Sequence, residues 1–331
     1  MRLRMGWILA ISVWLHPICA TTFEDPAPPE FHPLENKTIP AATAHPDVTF
    51  HALPKRLSPD AATTDWTCFL GPTHDGYSKE TNLLKDWGNE GPSLVWEMEK
   101  GDGYSAPSVQ GDRLLFFHRV GDEVRLECLN PENGDLYWRH GYPTRYRDRY
   151  GYNNGPRCSP VIEENRVYAY GAEGILICLD IRNGHVYWER NLGGEFKVPQ
   201  DFFGVASTPL IEGDLLIVNV GAPGGPCVAA FDKMDGKMVW GVGDQWGPSY
   251  ASPIPATIGG RKRIFVFAGG DSDPPTGGLL GIDPNGGSLL FRYPWRSTSY
   301  ESVNASSPLV IGDRVFISAS YQTGSALLEV E

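Results

Sequence analysis

Short apolar runs broken by polar turns recur from about residue 94 to the end of the chain. The clearest unit spans Gly174 to Trp188. Apolar positions predict one strand over Gly174 to Leu179 and a second over His185 to Trp188. Asp180, Asn183 and Gly184 stand between them. Asp and Asn bond their own backbone and Gly accepts a positive φ, so the spacing predicts a tight hairpin closed by a large aromatic.

The unit recurs. Cys128 leads through Asn130 and Gly134 to Trp138, Cys178 through Asp180 and Gly184 to Trp188, Ala230 through Asp232 and Gly236 to Trp240, and Gly281 through Asp283 and Gly287 to Phe291. The closing aromatics are 50, 52 and 51 residues apart. A fixed period of this length signals stacked supersecondary units. Each unit also has an upstream landmark: Ser105-Ala106-Pro107, Ser159-Pro160, Ser207-Thr208-Pro209, Ser252-Pro253 and Ser307-Pro308. Two further strands follow each landmark, as over Val161 to Tyr168 and Leu309 to Phe316. The pattern predicts an all-β fold, a β-propeller of four-stranded antiparallel blades. The small residues Cys128, Cys178, Ala230 and Gly281 are expected to lie under the ring of an adjacent blade. Trp138, Trp188, Trp240 and Phe291 would then dock each blade on the next.

Four full repeats begin near Gly101, Gly155, Gly204 and Pro248, and a fifth, incomplete one near Ser302. Leu94-Val95-Trp96 resembles the last strand of a repeat without its first three. These parts suggest a C-terminally truncated propeller over 66–331, an open arc with an exposed sheet edge.

Before the repeats, Met1 to Ala20 has the marks of a secretory signal: Arg2 and Arg4, an apolar run to Leu15, then Pro17 and the small Ala20. The apolar run is short of the about 20 residues that span a bilayer. The mature chain is therefore expected to be exported to the periplasm or cell envelope, without a transmembrane segment. Residues 21–65 are rich in Pro, Ala and Thr and show no apolar period, which predicts a disordered linker. Asn36-Lys37-Thr38 and Asn304-Ala305-Ser306 match the glycosylation acceptor pattern.

Composition sharpens this picture in two places. Thirty-eight Gly and 28 Pro suit many turns, and no long amphipathic helix is present. The formal charge is −12, or −14 once Arg2 and Arg4 leave with the signal. Such a surface disfavours nucleic acid as a partner.

Candidate chemistry is sparse. No nucleophile elbow, zinc-protease, P-loop or EF-hand motif occurs. Of six cysteines, Cys19 falls in the signal, and Cys128 and Cys178 read as small apolar filler. Cys68, Cys158 and Cys227 are left, and export would permit one pair to oxidise. No spacing suits a metal. Asp271-Ser272-Asp273 reads as a surface turn, His118 as a packed or edge residue, and His185 as solvent-facing. Tyr104, Arg157, Phe203, Tyr250 and Asn304 flank the Ser-Pro landmarks and are placed to line one mouth of an axial channel. They could hold a planar or anionic ligand, or simply plug the hole. Arg145, Arg147, Arg149 and Arg157 alternate with Tyr146, Tyr150 and Tyr152, either as a solvated loop or as an anion or sugar contact.

The set Cys178-Leu179-Asp180, Gly184 and Trp188, with Ser159-Pro160 upstream, resembles the repeat of the quinoprotein-like (PQQ-like) β-propellers. Trp66 to Pro72, Trp96 and Gly103-Tyr104-Ser105 look like exported planctomycete-type members. The resemblance implies a ring of seven or eight blades. It also implies one of two functions, beside which a hydrolase or carbohydrate binder is a further alternative. The first is a non-catalytic scaffold for protein or peptide partners with no cofactor, as in the BamB-type propeller of the outer-membrane β-barrel assembly machine. The second is a dehydrogenase that uses PQQ with calcium to oxidise an alcohol or sugar. The vicinal disulfide, calcium ligands and catalytic Asp of the quinone enzymes have no positional match here, which favours the scaffold.

Overall fold

Each Asp/Gly hairpin is the outer half of a sheet whose strands follow chain order. The computed structural model describes residues 23–33, 38–89, 91–200 and 202–330; the expected signal and Asn36 lie outside them. Blade 1 contains Ser108–Gln110, Arg113–Val120, Glu123–Leu129 and Leu136–Pro143. Blade 2 contains Val161–Glu163, Arg166–Tyr170, Ile175–Asp180 and Val186–Asn191. Blade 3 runs through Leu210–Glu212, Leu215–Val218, Val228–Asp232 and Met238–Val242. Blade 4 runs through Ile254–Ile258, Arg261–Ala268, Gly278–Asp283 and Ser288–Pro294. A three-stranded sheet follows, Leu309–Ile311, Arg314–Ala319 and Gly324–Glu329. The only helix among the described residues is one turn, Leu192–Glu195. The fold is a β-propeller of antiparallel blades.

The turn works as its residues dictate. Asp180 Oδ1 accepts from the Arg182 N–H at 2.8 Å, the Asp180 carbonyl accepts from the Gly184 N–H at 2.8 Å, and Gly184 has φ +69°. The small residue has a different role from the one expected. Cys128, Cys178, Ala230 and Gly281 pair across strands with the aromatic of their own blade, Trp138, Trp188, Trp240 and Phe291. In all four blades the register shifts at that residue, which marks a recurring bulge. The surface under each indole is the next blade's turn glycine. A Cβ on Gly184, Gly236 or Gly287 would stand 2.7, 2.8 or 2.6 Å from the ring of Trp138, Trp188 or Trp240. The indole N–H groups complete the dock, donating to the carbonyls of Ile181, Lys233 and Pro284. Trp96 docks on blade 1 likewise, its N–H donating to the Pro131 carbonyl at 2.9 Å. Phe291 lacks an N–H and packs with Phe265, Val315 and Ile317.

The core lies between blades rather than within one. Separate buried clusters join blades 1 and 2, 2 and 3, 3 and 4, and blade 4 with the last sheet. At the inner strands the Ser-Pro landmarks stitch neighbours together. Ser108 Oγ donates to the Pro160 carbonyl at 2.6 Å and Ser207 Oγ to the Ala251 carbonyl at 2.8 Å. The Thr208 N–H donates to Ser252 Oγ, and the Ser252 N–H to Ser307 Oγ. Among the described residues the last sheet has three strands, and Leu309, Ile311, Phe316 and Leu327 are exposed on it.

The expected linker is the largest departure from the sequence reading. Described parts of residues 23–65 form an ordered belt on the outer rim. Glu30–Phe31 adds a fifth strand to blade 2 opposite Glu189 and Trp188, Thr43 bridges to Leu136, and Val48–Phe50 pairs with Trp96–Met98. Asp25 meets the fully buried Arg190 at 2.5 Å. His45 Nε2 lies 3.2 Å from the buried Glu127 carboxylate. Composition missed the belt because it has little apolar surface of its own and draws its order from edges that the blades already present. His185 is corrected with it. It is buried, since its hairpin is not the rim of the sheet: the belt strand lies outside it, and the His32 N–H donates to the Tyr187 carbonyl at 3.1 Å. His118 is buried as well, 3.4 Å from Glu127.

Residues after the belt fill the space beside the inner strands. Trp66 bridges to Val109, and the Thr67 carbonyl accepts from the Ile162 N–H at 2.8 Å. Cys68 to Leu70 and His74 lie against Thr208–Leu210 and Ser252–Ile254. Cys68, Cys158 and Cys227 are free thiols, all buried, so no pair of them is oxidised.

Candidate functional site

The connections that lead into successive inner strands converge at one end of the propeller. The connector between blades 1 and 2 reaches furthest. Its Tyr150 N–H donates to Asp148 Oδ1, and its Asp148 N–H to Asn154 Oδ1, which folds the loop on itself. Arg149 then donates to Asp271 at 2.9 Å, and Tyr150 Oη to Glu301 at 3.0 Å. The loop thus crosses from blade 1 to the far side of the mouth.

Four of the five expected mouth residues come together under this bridge. The Arg157 guanidinium lies 5.0 Å from the Tyr104 ring and 5.3 Å from the Phe203 ring. Phe203 and Tyr250 have ring centroids 5.5 Å apart, and the Phe203 N–H donates to Tyr250 Oη at 3.0 Å. Asn304 is not on the surface. It is fully buried, its Nδ2 donating to the carbonyls of Ala268 and Trp295, and its carbonyl accepts from the Tyr250 N–H. That burial also removes Asn304 as a glycan acceptor.

Arg157 is committed within the fold. Its Nε donates to the Phe203 carbonyl at 2.7 Å, and its Nη2 to the Asn153 carbonyl and to the buried Asp148 carboxylate. The expected anion grip is therefore replaced by an internal ion pair. Arg147 is paired with Asp122, whose carboxyl is held below its ordinary range by hydrogen bonds from Arg147 and Arg119. Burial, followed by the contact with Glu301, pushes the Tyr150 hydroxyl up.

Sequence reasoning missed Asp148, Phe202, Asp271, Tyr300 and Glu301 as mouth residues. Phe202 packs on Tyr150 at 6.0 Å and edge-on to Tyr300 at 6.0 Å. The pairs Phe202-Phe203 and Tyr300-Glu301 precede Ser landmarks, and that position was a usable signal. The result is an aromatic platform in which Tyr104 and Tyr152 are 60% and 70% exposed.

A quinone with calcium would need converging oxygen donors beside an open stacking slot. Among the described residues no three His, Cys, Asp or Glu side chains converge as metal donors. The three mouth carboxylates, Asp148, Asp271 and Glu301, are already bound to Arg157, Arg149 and Tyr150. The residues of this mouth do not fit that group.

Comparison with known proteins gives the following likenesses. A family profile described as outer membrane protein assembly factor BamB matches residues 122–330. BamB of Shewanella oneidensis is 24% identical over 259 residues, covering 72% of this chain and 59% of that protein. The tetrathionate hydrolase of Acidithiobacillus ferrooxidans is 24% identical over 245 residues, covering 69% of this chain and 44% of that protein. The chain thus spans about half the length of these curated relatives. The crystal structure of BamB from Moraxella catarrhalis is similar with 14% identity and a TM-score of 0.43, over 73% of this chain and 74% of that one. A europium-containing methanol dehydrogenase is similar with 12% identity and a TM-score of 0.45, over 69% of this chain and 50% of that one.

Proposed function

Because the chain belongs to the family described as outer membrane protein assembly factor BamB, we propose that it is an exported, non-catalytic propeller of the cell envelope that binds a protein partner through its aromatic mouth. The exposed tyrosine platform carries this reading. Tyr and Arg are the residue types that dominate protein interfaces, because a ring supplies large contact area with few rotamers to freeze. Here Tyr104, Tyr152 and Tyr300 stay exposed while Arg157, Phe203 and Phe202 respectively hold them from beneath. The loop that bridges the mouth leaves a surface for a partner rather than a slot for a cofactor. The acidic chain disfavours nucleic acid. No helix among the described residues is long and apolar enough to cross a membrane.

A photo-crosslinking residue at position 152, in cells of the source organism, tests the proposal. A discrete protein adduct is expected from position 152 and not from Met234, an exposed turn residue of blade 3. Absence of an adduct at 152, or dye-linked alcohol oxidation after addition of quinone and calcium, would overturn it.

A further inference from the structure

A cavity of about 480 Å³ lies beside the mouth, between the connector Arg296–Ser299 and the hairpin turn that carries Tyr321, Gln322 and Thr323. Its size falls in the ~300–1,000 Å³ range of small-molecule sites. We propose that this cavity binds a small neutral saccharide, independently of the protein-binding reading of the mouth.

The lining sets the ligand class. Thr298 and Ser299 present exposed hydroxyls, and Gln322 an exposed amide. These groups both donate and accept, which matches a ligand whose own hydroxyls do the same. Thr323 Oγ1 is buried and has no hydrogen-bond partner among the described residues. A buried hydroxyl in that condition is satisfied by an ordered water or by a ligand. Arg296 is the charged residue in the lining, and its guanidinium is turned inward. It donates to the carbonyls of Gly269, Gly270 and Ser302 and to Ser302 Oγ. With those N–H groups spent, it has little left to clamp a carboxylate or sulfate. Tyr321 adds a ring, 52% exposed, whose apolar face can cover the C–H face of a sugar.

The turn is held in an unusual shape at this spot. Tyr321 and Gln322 both have left-handed backbones, with φ +57° and +66°. A hairpin turn of that kind is normally made by Asn and Gly. Ser297 Oγ donates to the Tyr321 carbonyl at 3.2 Å and fixes the turn against the connector. Side chains kept at a strained turn, where glycine would fold more easily, point to a use for those side chains.

A glycan array probed with the full chain tests the site. Neutral glucan, xylan, mannan and chitin oligomers form one arm, and heparin and sialylated glycans the other. At least one neutral oligomer should bind, and Tyr321→Ala should weaken it at least tenfold. Gln322→Gly should raise the melting temperature by relieving the turn and still weaken binding tenfold, a combination that a purely structural turn residue cannot give. Binding of charged glycans alone, no binding of any neutral oligomer, or wild-type affinity in both variants would overturn the proposal.

Discussion

The indole of Trp188 lies over Gly236 of the following blade, and its N–H donates to the Lys233 carbonyl at 3.2 Å. The ring is wholly buried although it ends the outer half of its sheet. Trp188→Ala should therefore cost about 3–5 kcal/mol. Gly236→Ala should cost about 1–3 kcal/mol, because its methyl would overpack the ring and its φ is +71°. Met234→Ala, on the same turn but exposed, should stay within about 0.5 kcal/mol. Urea unfolding of the three variants checks the dock, and a neutral Gly236→Ala would refute it.

What could be read from sequence divides along the same line. The hairpins were legible because Asp180, Gly184 and Trp188 act through neighbours in sequence, and repetition amplified the signal. The target of each ring was not, since a cross-strand partner and a docking partner both require a small residue. Mouth residues beside the Ser-Pro landmarks were legible by position. The commitment of Arg157 to Asp148 was not, because an Arg beside aromatics reads the same whether its charge is free or paired. The belt was invisible because its strands exist only through the edges they cover.

Belt release gives a second prediction. Arg190 is fully buried and holds Asp25, Glu195 and the Gly236 and Ala27 carbonyls. Asp25→Ala removes one carboxylate and leaves Glu195, so the expected loss is about 1–3 kcal/mol rather than that of an orphaned charge. Limited proteolysis should cut the belt within residues 26–33, beside the lost clasp, faster than in the wild type. Unchanged digestion would mean that Asp25 is not the clasp.

Acid should act at the other clasp. Burial pushes the Glu127 carboxyl up, but bonds and charge from His118 and Arg139 outweigh it and hold its pKa at about 2, against an ordinary 4.5. His45 faces the same carboxylate from the belt. The folded value is depressed, so this contribution is fully present above pH 4.5 and is lost as pH falls through 2. The shift corresponds to about 3 kcal/mol. Denaturation at a series of pH values should show a steeper acid loss for the wild type than for Glu127→Gln. Parallel curves would exclude the Glu127 contribution.

Burial likewise governs the thiols. It raises Cys68 and Cys178 to about 11 and Cys128 and Cys227 to about 12, and pushes Cys158 up as well. At pH 8 each is protonated and shielded, although an ordinary cysteine would be partly thiolate. A thiol-specific alkylating reagent should leave all five unlabelled in the native protein and label all five in denaturant, as read by peptide mass spectrometry. Rapid native labelling of Cys68 would contradict its burial beside the inner strands.

The mouth depends on one ion pair that the sequence did not disclose. Asp148 is buried, and its carboxylate accepts from Arg157 and from the Tyr150 N–H. Arg157→Ala would strand that charge, which typically costs about 3–5 kcal/mol. Arg157→Lys keeps the charge but cannot reach the Phe203 carbonyl and Asp148 together, so it should recover only part of the loss. Adding Asp148→Asn to Arg157→Ala removes the stranded charge and should recover stability relative to Arg157→Ala alone. Hydrogen exchange over residues 148–154 gives the local readout: fast in Arg157→Ala, intermediate in Arg157→Lys, and slower again in the double variant. If the double variant exchanges as fast as Arg157→Ala, the loop is ordered by its aromatic contacts and not by the Arg157–Asp148 pair.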